Sequence, residues 1–172
     1  MNMIPQQYQR RNTPAFTAVS YFALAAGLFL FGIGVYNADW QLNVKGYYIL
    51  CVVLITMGCI VVQKVARDNT EDKFLRQDNP KHKMRNTAAF TGMSYLGLFI
   101  GYAMFFIGLY NAPFELNIKG YYIAVVLLIS YSAIGVQKVI RDNTEDKEII
   151  GEIEYQRNPQ AYTAAKEPEQ VK

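Results

Sequence analysis

Apolar residues gather in four blocks set apart by short polar stretches. Residues 15–36 (AFTAVSYFALAAGLFLFGIGVY) and 88–110 (AAFTGMSYLGLFIGYAMFFIGLY) carry no charge, and neither do residues 46–62 (GYYILCVVLITMGCIVV) and 120–136 (GYYIAVVLLISYSAIGV). A helix rises about 1.5 Å per residue, so the first kind of block reaches roughly 33 Å and the second roughly 25 Å. Both fit a hydrocarbon core of about 30 Å, the shorter kind with help from snorkelling Lys45, Lys64, Lys119 and Lys138. The pattern predicts an all-α integral membrane protein with four transmembrane helices. The first block reads as a retained helix, because it outruns the usual apolar core of a signal peptide and a near-copy recurs in mid-chain.

Residues 11–73 align with 85–147 without a gap at a constant offset of 74, and about 60% of the positions are identical. Matches concentrate outside the blocks. The flank QKVARDNTEDK (63–73) recurs as QKVIRDNTEDK (137–147), and YNADWQLNVKGYY (36–48) recurs as YNAPFELNIKGYY (110–122). A repeat with two spans keeps its orientation, so the hairpins are parallel copies related by a pseudo-two-fold axis along the membrane normal.

The order of helix, YNA-x-x-x-LN-x-KGYY loop, helix and QK-x-x-RD flank resembles the two-helix domain of the YiaA/YiaB family of small bacterial inner-membrane proteins. The resemblance covers nearly all of residues 11–147, twice over. It implies a bacterial inner membrane and four spans, and it carries no catalytic or binding residues across.

Charge placement sets the expected orientation. The loops 37–45 and 111–119 hold one Lys each, whereas 63–88 holds Lys64, Arg67, Lys73, Arg76, Lys81, Lys83 and Arg85, and Arg10 and Arg11 precede the first block. Short basic segments stay cytoplasmic. The expected organisation is a cytoplasmic N-terminal segment (1–14), a first two-helix membrane repeat (15–73), a cytoplasmic linker (74–84), a second repeat (85–147), and a polar, partly disordered cytoplasmic tail (148–172). Ile149, Ile150 and Ile153 stand at helical spacing, which predicts a short amphipathic extension into that tail.

Four groups of residues are candidates for function. Gly97 and Gly101, with Ala23 and Gly27 at the equivalent positions, are small residues four apart that let backbones approach in lipid; helices one and three are expected to meet there. Lys64 and Arg67, with Lys138 and Arg141, are placed to meet anionic headgroups, and Asn69 or Thr70 can cap whatever follows. Loop aromatics such as Trp40, Tyr48, Phe114 and Tyr122 suit the headgroup zone.

The outward loop is the fourth group. Asn37 and Asn111 suit left-handed helix ends, and Asn43 and Asn117 suit N-caps. Lys45 and Lys119 then fall in a first helical turn, where a cation opposes the helix dipole. Three partners could offset that: a lipid phosphate, an intraloop carboxylate (Asp39 or Glu115), or an anionic solute or partner group. On this reading, replacing both lysines with glutamine leaves folding intact or slightly improves it, yet alters association with anionic lipid or with a partner.

No charged residue lies within the blocks, which argues against ion-coupled transport. Cys51 and Cys59 stand eight apart without a CxxC pair, and His82 is the single imidazole, so no metal or other cofactor is expected. No nucleophile–base pair or phosphate loop can be assembled. The expected partners are membrane lipid and a second copy or another membrane protein, with no nucleic acid. The expected function is non-enzymatic and proceeds by helix–helix association; the alternative is a small passive channel or exporter for a small solute.

Overall fold

The computed structural model describes residues 8–158. Among them it contains four helices and no strand: α1 (Pro14–Asn37), α2 (Leu42–Asp78), α3 (Ala88–Asn111) and α4 (Leu116–Arg157). All four are long and apolar enough to cross a membrane. Side chains such as Phe22, Phe29, Leu50 and Phe99 remain exposed along them, as lipid-facing residues should.

Helix starts follow local chemistry. Thr13 Oγ1 accepts the Phe16 N–H at 3.2 Å and Thr87 Oγ1 accepts the Phe90 N–H at 3.1 Å, so threonine caps α1 and α3. Pro14 occupies the first position of α1, where its missing N–H costs nothing. α2 does not stop at the polar flank. It runs through Asp78, into the segment expected to be linker, and α4 continues as one helix to Arg157. Asn69 and Thr70 are therefore interior helix residues rather than caps; Thr70 Oγ1 donates to the Ala66 carbonyl at 2.8 Å.

Two compact units are distinguished. The larger is Val19–Gln137; the described part of the smaller comprises residues 8–18 and 138–158. The larger unit is centred on Ile55, Phe105, Val126 and Ile129, none more than 1% exposed. Its tight contacts join different repeats. A Cβ on Gly27 of α1 would lie 2.9 Å from Ile129 Cγ1 of α4, and a Cβ on Gly101 of α3 would lie 3.1 Å from Ile55 Cγ1 of α2. Gly58 backs onto Leu98 and Gly34 onto Tyr121 in the same two pairings.

The expected meeting of α1 with α3 is thus corrected: each glycine faces the isoleucine on the second helix of the other repeat. Phe31 and Phe105, one turn beyond those glycines, follow suit, meeting Tyr122 and Tyr48 edge-on at 6.2 and 6.1 Å. Gly27 and Gly101 are buried, Ala23 is half-buried, and Gly97 has nothing within 4 Å of its would-be Cβ. The GxxxG spacing marked a true contact at one of its two glycines.

Candidate functional site

The loops joining α1 to α2 and α3 to α4 turn within a few residues, and their asparagines do not cap. No described non-glycine residue has a positive φ, so Asn37 and Asn111 do not form left-handed ends. Asn111 instead folds back, its Nδ2 donating to the Ile107 carbonyl at 2.9 Å. Gln41, in extended conformation, is the N-cap of α2 and makes no side-chain capping bond. Asn43 and Asn117 lie inside the first turns of α2 and α4, their Oδ1 atoms accepting the next residue's N–H at 2.9 and 2.8 Å. The helices begin at Leu42 and Leu116, ahead of the asparagines.

Lys45 and Lys119 have partners of a kind not expected. Lys45 Nζ donates to the Tyr36 carbonyl and Lys119 Nζ to the Tyr110 carbonyl, each at 3.0 Å. Those carbonyls belong to the last turns of α1 and α3, where acceptors lack intrahelical donors and the dipole is negative. The cation that looks misplaced at one helix start is well placed at the preceding helix end. Asp39 and Glu115 are exposed and form no ion pair among the described residues. Lys45→Gln with Lys119→Gln is consequently expected to lower stability, by roughly 0.5 kcal/mol per site for a partly exposed bond. Thermal unfolding in detergent checks this, and an unchanged or raised midpoint contradicts it.

Beneath the loops the repeats join through aromatic rings. Trp40 stacks on Phe114, its equivalent in the other repeat, with centroids 4.6 Å apart and planes at 11°. Tyr48 and Tyr122, another equivalent pair, lie 6.4 Å apart at 20°. Tyr47 donates its hydroxyl to the Met104 carbonyl, and Tyr121 donates to the Leu30 carbonyl at 2.7 Å. An open cleft of about 580 Å³ lies beside this stack, lined by Trp40, Tyr47 and Phe114 with the amides of Gln41, Asn43 and Asn111.

At the opposite helix ends, four aspartates are buried: Asp68, Asp72, Asp142 and Asp146. Lys64 and Arg67, expected on lipid headgroups, reach Asp68 at 2.7 and 2.9 Å; Lys138 and Arg141 reach Asp142 at 3.0 and 2.6 Å. Each of these cations is paired with a carboxylate of its own helix.

Asp72 receives the Arg85 main-chain N–H at 2.7 Å and Nε at 2.9 Å, with His82 Nε2 at 3.0 Å. Asp146, in the smaller unit, receives the Arg11 N–H at 2.9 Å, Arg11 Nε at 2.8 Å and the Tyr8 hydroxyl at 2.8 Å. The two junctions are copies, with Tyr8 and His82 at matching positions. The main-chain N–H of Arg85, then His82, hold the Asp72 carboxyl down at about 2. The Arg11 side chain holds Asp146 below the usual range. The available signal in the sequence was the recurring pair of aspartates four apart, RDNTED, which places both on one helical face.

The repeat seen in the sequence is matched by a family model, described as the yiaA/B two helix domain, at residues 16–68 and again at 90–142. The chain belongs to this family. Within it, the chain is 36% identical over 131 residues to the inner membrane protein YiaA of Escherichia coli (strain K12), covering 76% of this chain and 82% of the relative. It is 52% identical over 79 residues to the "uncharacterized membrane protein YubF" of Bacillus subtilis (strain 168), covering 45% of this chain and 91% of that relative. YubF therefore has about the length of one repeat. No solved structure matches. Among the described residues, no group of three or more His, Cys, Asp or Glu could hold a metal ion, and Cys51 and Cys59 are free and buried.

Proposed function

We propose that this membrane protein acts without catalysis, by helix–helix association in the bacterial inner membrane, as an oligomer or beside a membrane partner. One observation carries the reading: the close glycine contacts and the Tyr47 and Tyr121 hydrogen bonds join one repeat to the other. The repeat therefore behaves as an association module. A single repeat cannot make those contacts within itself and needs a second repeat to pack against. Two further features favour this reading over a passive channel. The larger unit is filled at its centre by Ile55, Phe105 and Ile129, and no charged residue lines the apolar blocks.

Purified protein in proteoliposomes should leave ion and small-solute flux at the level of empty vesicles. Cross-linking in native membranes should give discrete higher species. Solute flux that scales with protein, with a monomer only on cross-linking, would overturn the proposal. The basic flanks support cytoplasmic ends, so Gln41→Cys should react with an impermeant maleimide in intact cells and Asp78→Cys should not. The reverse labelling pattern would invert the topology.

A further inference from the structure

Because Lys64, Arg67, Lys138 and Arg141 are held by Asp68 and Asp142, the free cations lie elsewhere. Lys73, Arg76, Lys81 and Lys83 are exposed and make no ion pair among the described residues. Asp78 is the single carboxylate in residues 73–83. Phe74 and Leu75, on the same helix end, are 64% and 48% exposed. The equivalent stretch of the second repeat has changed character: after Lys147 come Glu148, Ile149, Ile150, Gly151 and Glu152. The basic, apolar surface is thus a feature of the junction between repeats.

Its height relative to the membrane follows from α3. Asn69 Nδ2 donates to Thr91 Oγ1 at 3.2 Å and Arg85 grips Asp72, so this part of α2 stands beside the first turn of α3, where the apolar block begins. Lys73 comes next in the chain. The unpaired cations and the exposed Phe74 and Leu75 therefore begin where the headgroup layer begins. We propose that residues 73–83 form a binding surface for anionic phospholipid headgroups of the leaflet on that side. Clustered Lys and Arg just beyond a span attract anionic lipid, and apolar side chains among them enter the interface. Phosphates of neutral lipids are matched by their own cationic groups, so this surface discriminates by net headgroup charge.

The test uses the full chain in neutral detergent, titrated with phosphatidylglycerol or with phosphatidylcholine of the same acyl chains, and bound lipid is counted by native mass spectrometry. The wild type should retain phosphatidylglycerol at about tenfold lower concentration, a preference that disappears at about 1 M salt, where screening acts within about 3 Å. Lys73→Gln, Arg76→Gln, Lys81→Gln and Lys83→Gln together should abolish the preference. Lys73→Arg, Lys81→Arg and Lys83→Arg together should keep it, as should Lys64→Gln with Lys138→Gln. Equal retention of both lipids by the wild type, or loss in the Lys64/Lys138 variant with retention in the fourfold one, overturns the site. So does loss of the preference in the arginine variant. An acidic protein bound at residues 73–83 in native membranes, with no lipid preference, would also overturn it.

Discussion

Gly101→Ile is expected to destabilise the protein by about 3 kcal/mol, at the top of the range for overpacking. The first added carbon alone would come 3.1 Å from Ile55 Cγ1, 3.3 Å from Leu54 Cγ and 3.4 Å from the Ile55 main-chain nitrogen. The first carbon already crowds those two side chains, and the three further carbons of isoleucine must push them aside or part α2 from α3. Gly27→Ile should behave alike, since its Cβ would meet Ile129 Cγ1 at 2.9 Å and the Ile129 nitrogen at 3.5 Å. Gly97→Ile, facing open space, should change stability by no more than about 0.5 kcal/mol. Thermal unfolding in detergent ranks the three. A double-mutant cycle of Gly101→Ala with Ile55→Ala should show favourable coupling, because the smaller Ile55 replacement makes room for the new methyl group. A Gly101→Ile midpoint equal to that of the wild type would remove the α2–α3 contact as the explanation for Gly101.

The contrast between Gly101 and Gly97 shows how far the sequence could be read. Periodicity and length gave four spans and a tandem repeat because they depend on chain-local quantities: charge-free blocks and a fixed offset. Small residues four apart announced a close approach, yet which helix approaches depends on how the repeats fit together. Nothing within residues 11–73 encodes that α1 meets α4. Lys45 illustrates a different limit. Its partner lies only nine residues away at Tyr36, but the contact exists because the turn begins α2 at Leu42, so that the ammonium folds back over the last turn of α1. A helix capped by Asn43 would instead leave that ammonium without the Tyr36 carbonyl, so that lipid phosphate becomes the nearest candidate partner. Asp68 and Asp142 were obscured by their neighbours, since basic residues after a span suggest headgroups before they suggest buried carboxylates of the same helix.

Arg85→Ala should lower the melting temperature by on the order of 10 °C, because it strips a buried carboxylate of its guanidinium. Arg85 Nε meets Asp72 Oδ1 at 2.9 Å while its Nη2 meets Glu71 at 2.8 Å. Arg85→Lys keeps the charge and loses this fork, so it should fall between alanine and wild type. Exposed Arg76→Ala should be neutral. The acid dependence follows from the depressed Asp72 pKa, about 2 in the fold against about 3.9 for an unperturbed aspartate. A carboxyl whose pKa falls on folding contributes stability that is complete above its unfolded value and is lost as pH drops through the folded one. The wild type should therefore exceed Asp72→Asn in melting temperature by a constant margin above about pH 4, and the margin should shrink steadily between about pH 4 and pH 2. Arg85→Ala keeps the main-chain N–H, the leading cause of the depression, so it should retain part of that acid response. A margin that does not change with pH would mean that Asp72 is not held as a carboxylate by the Arg85 backbone, and the junction would need another explanation.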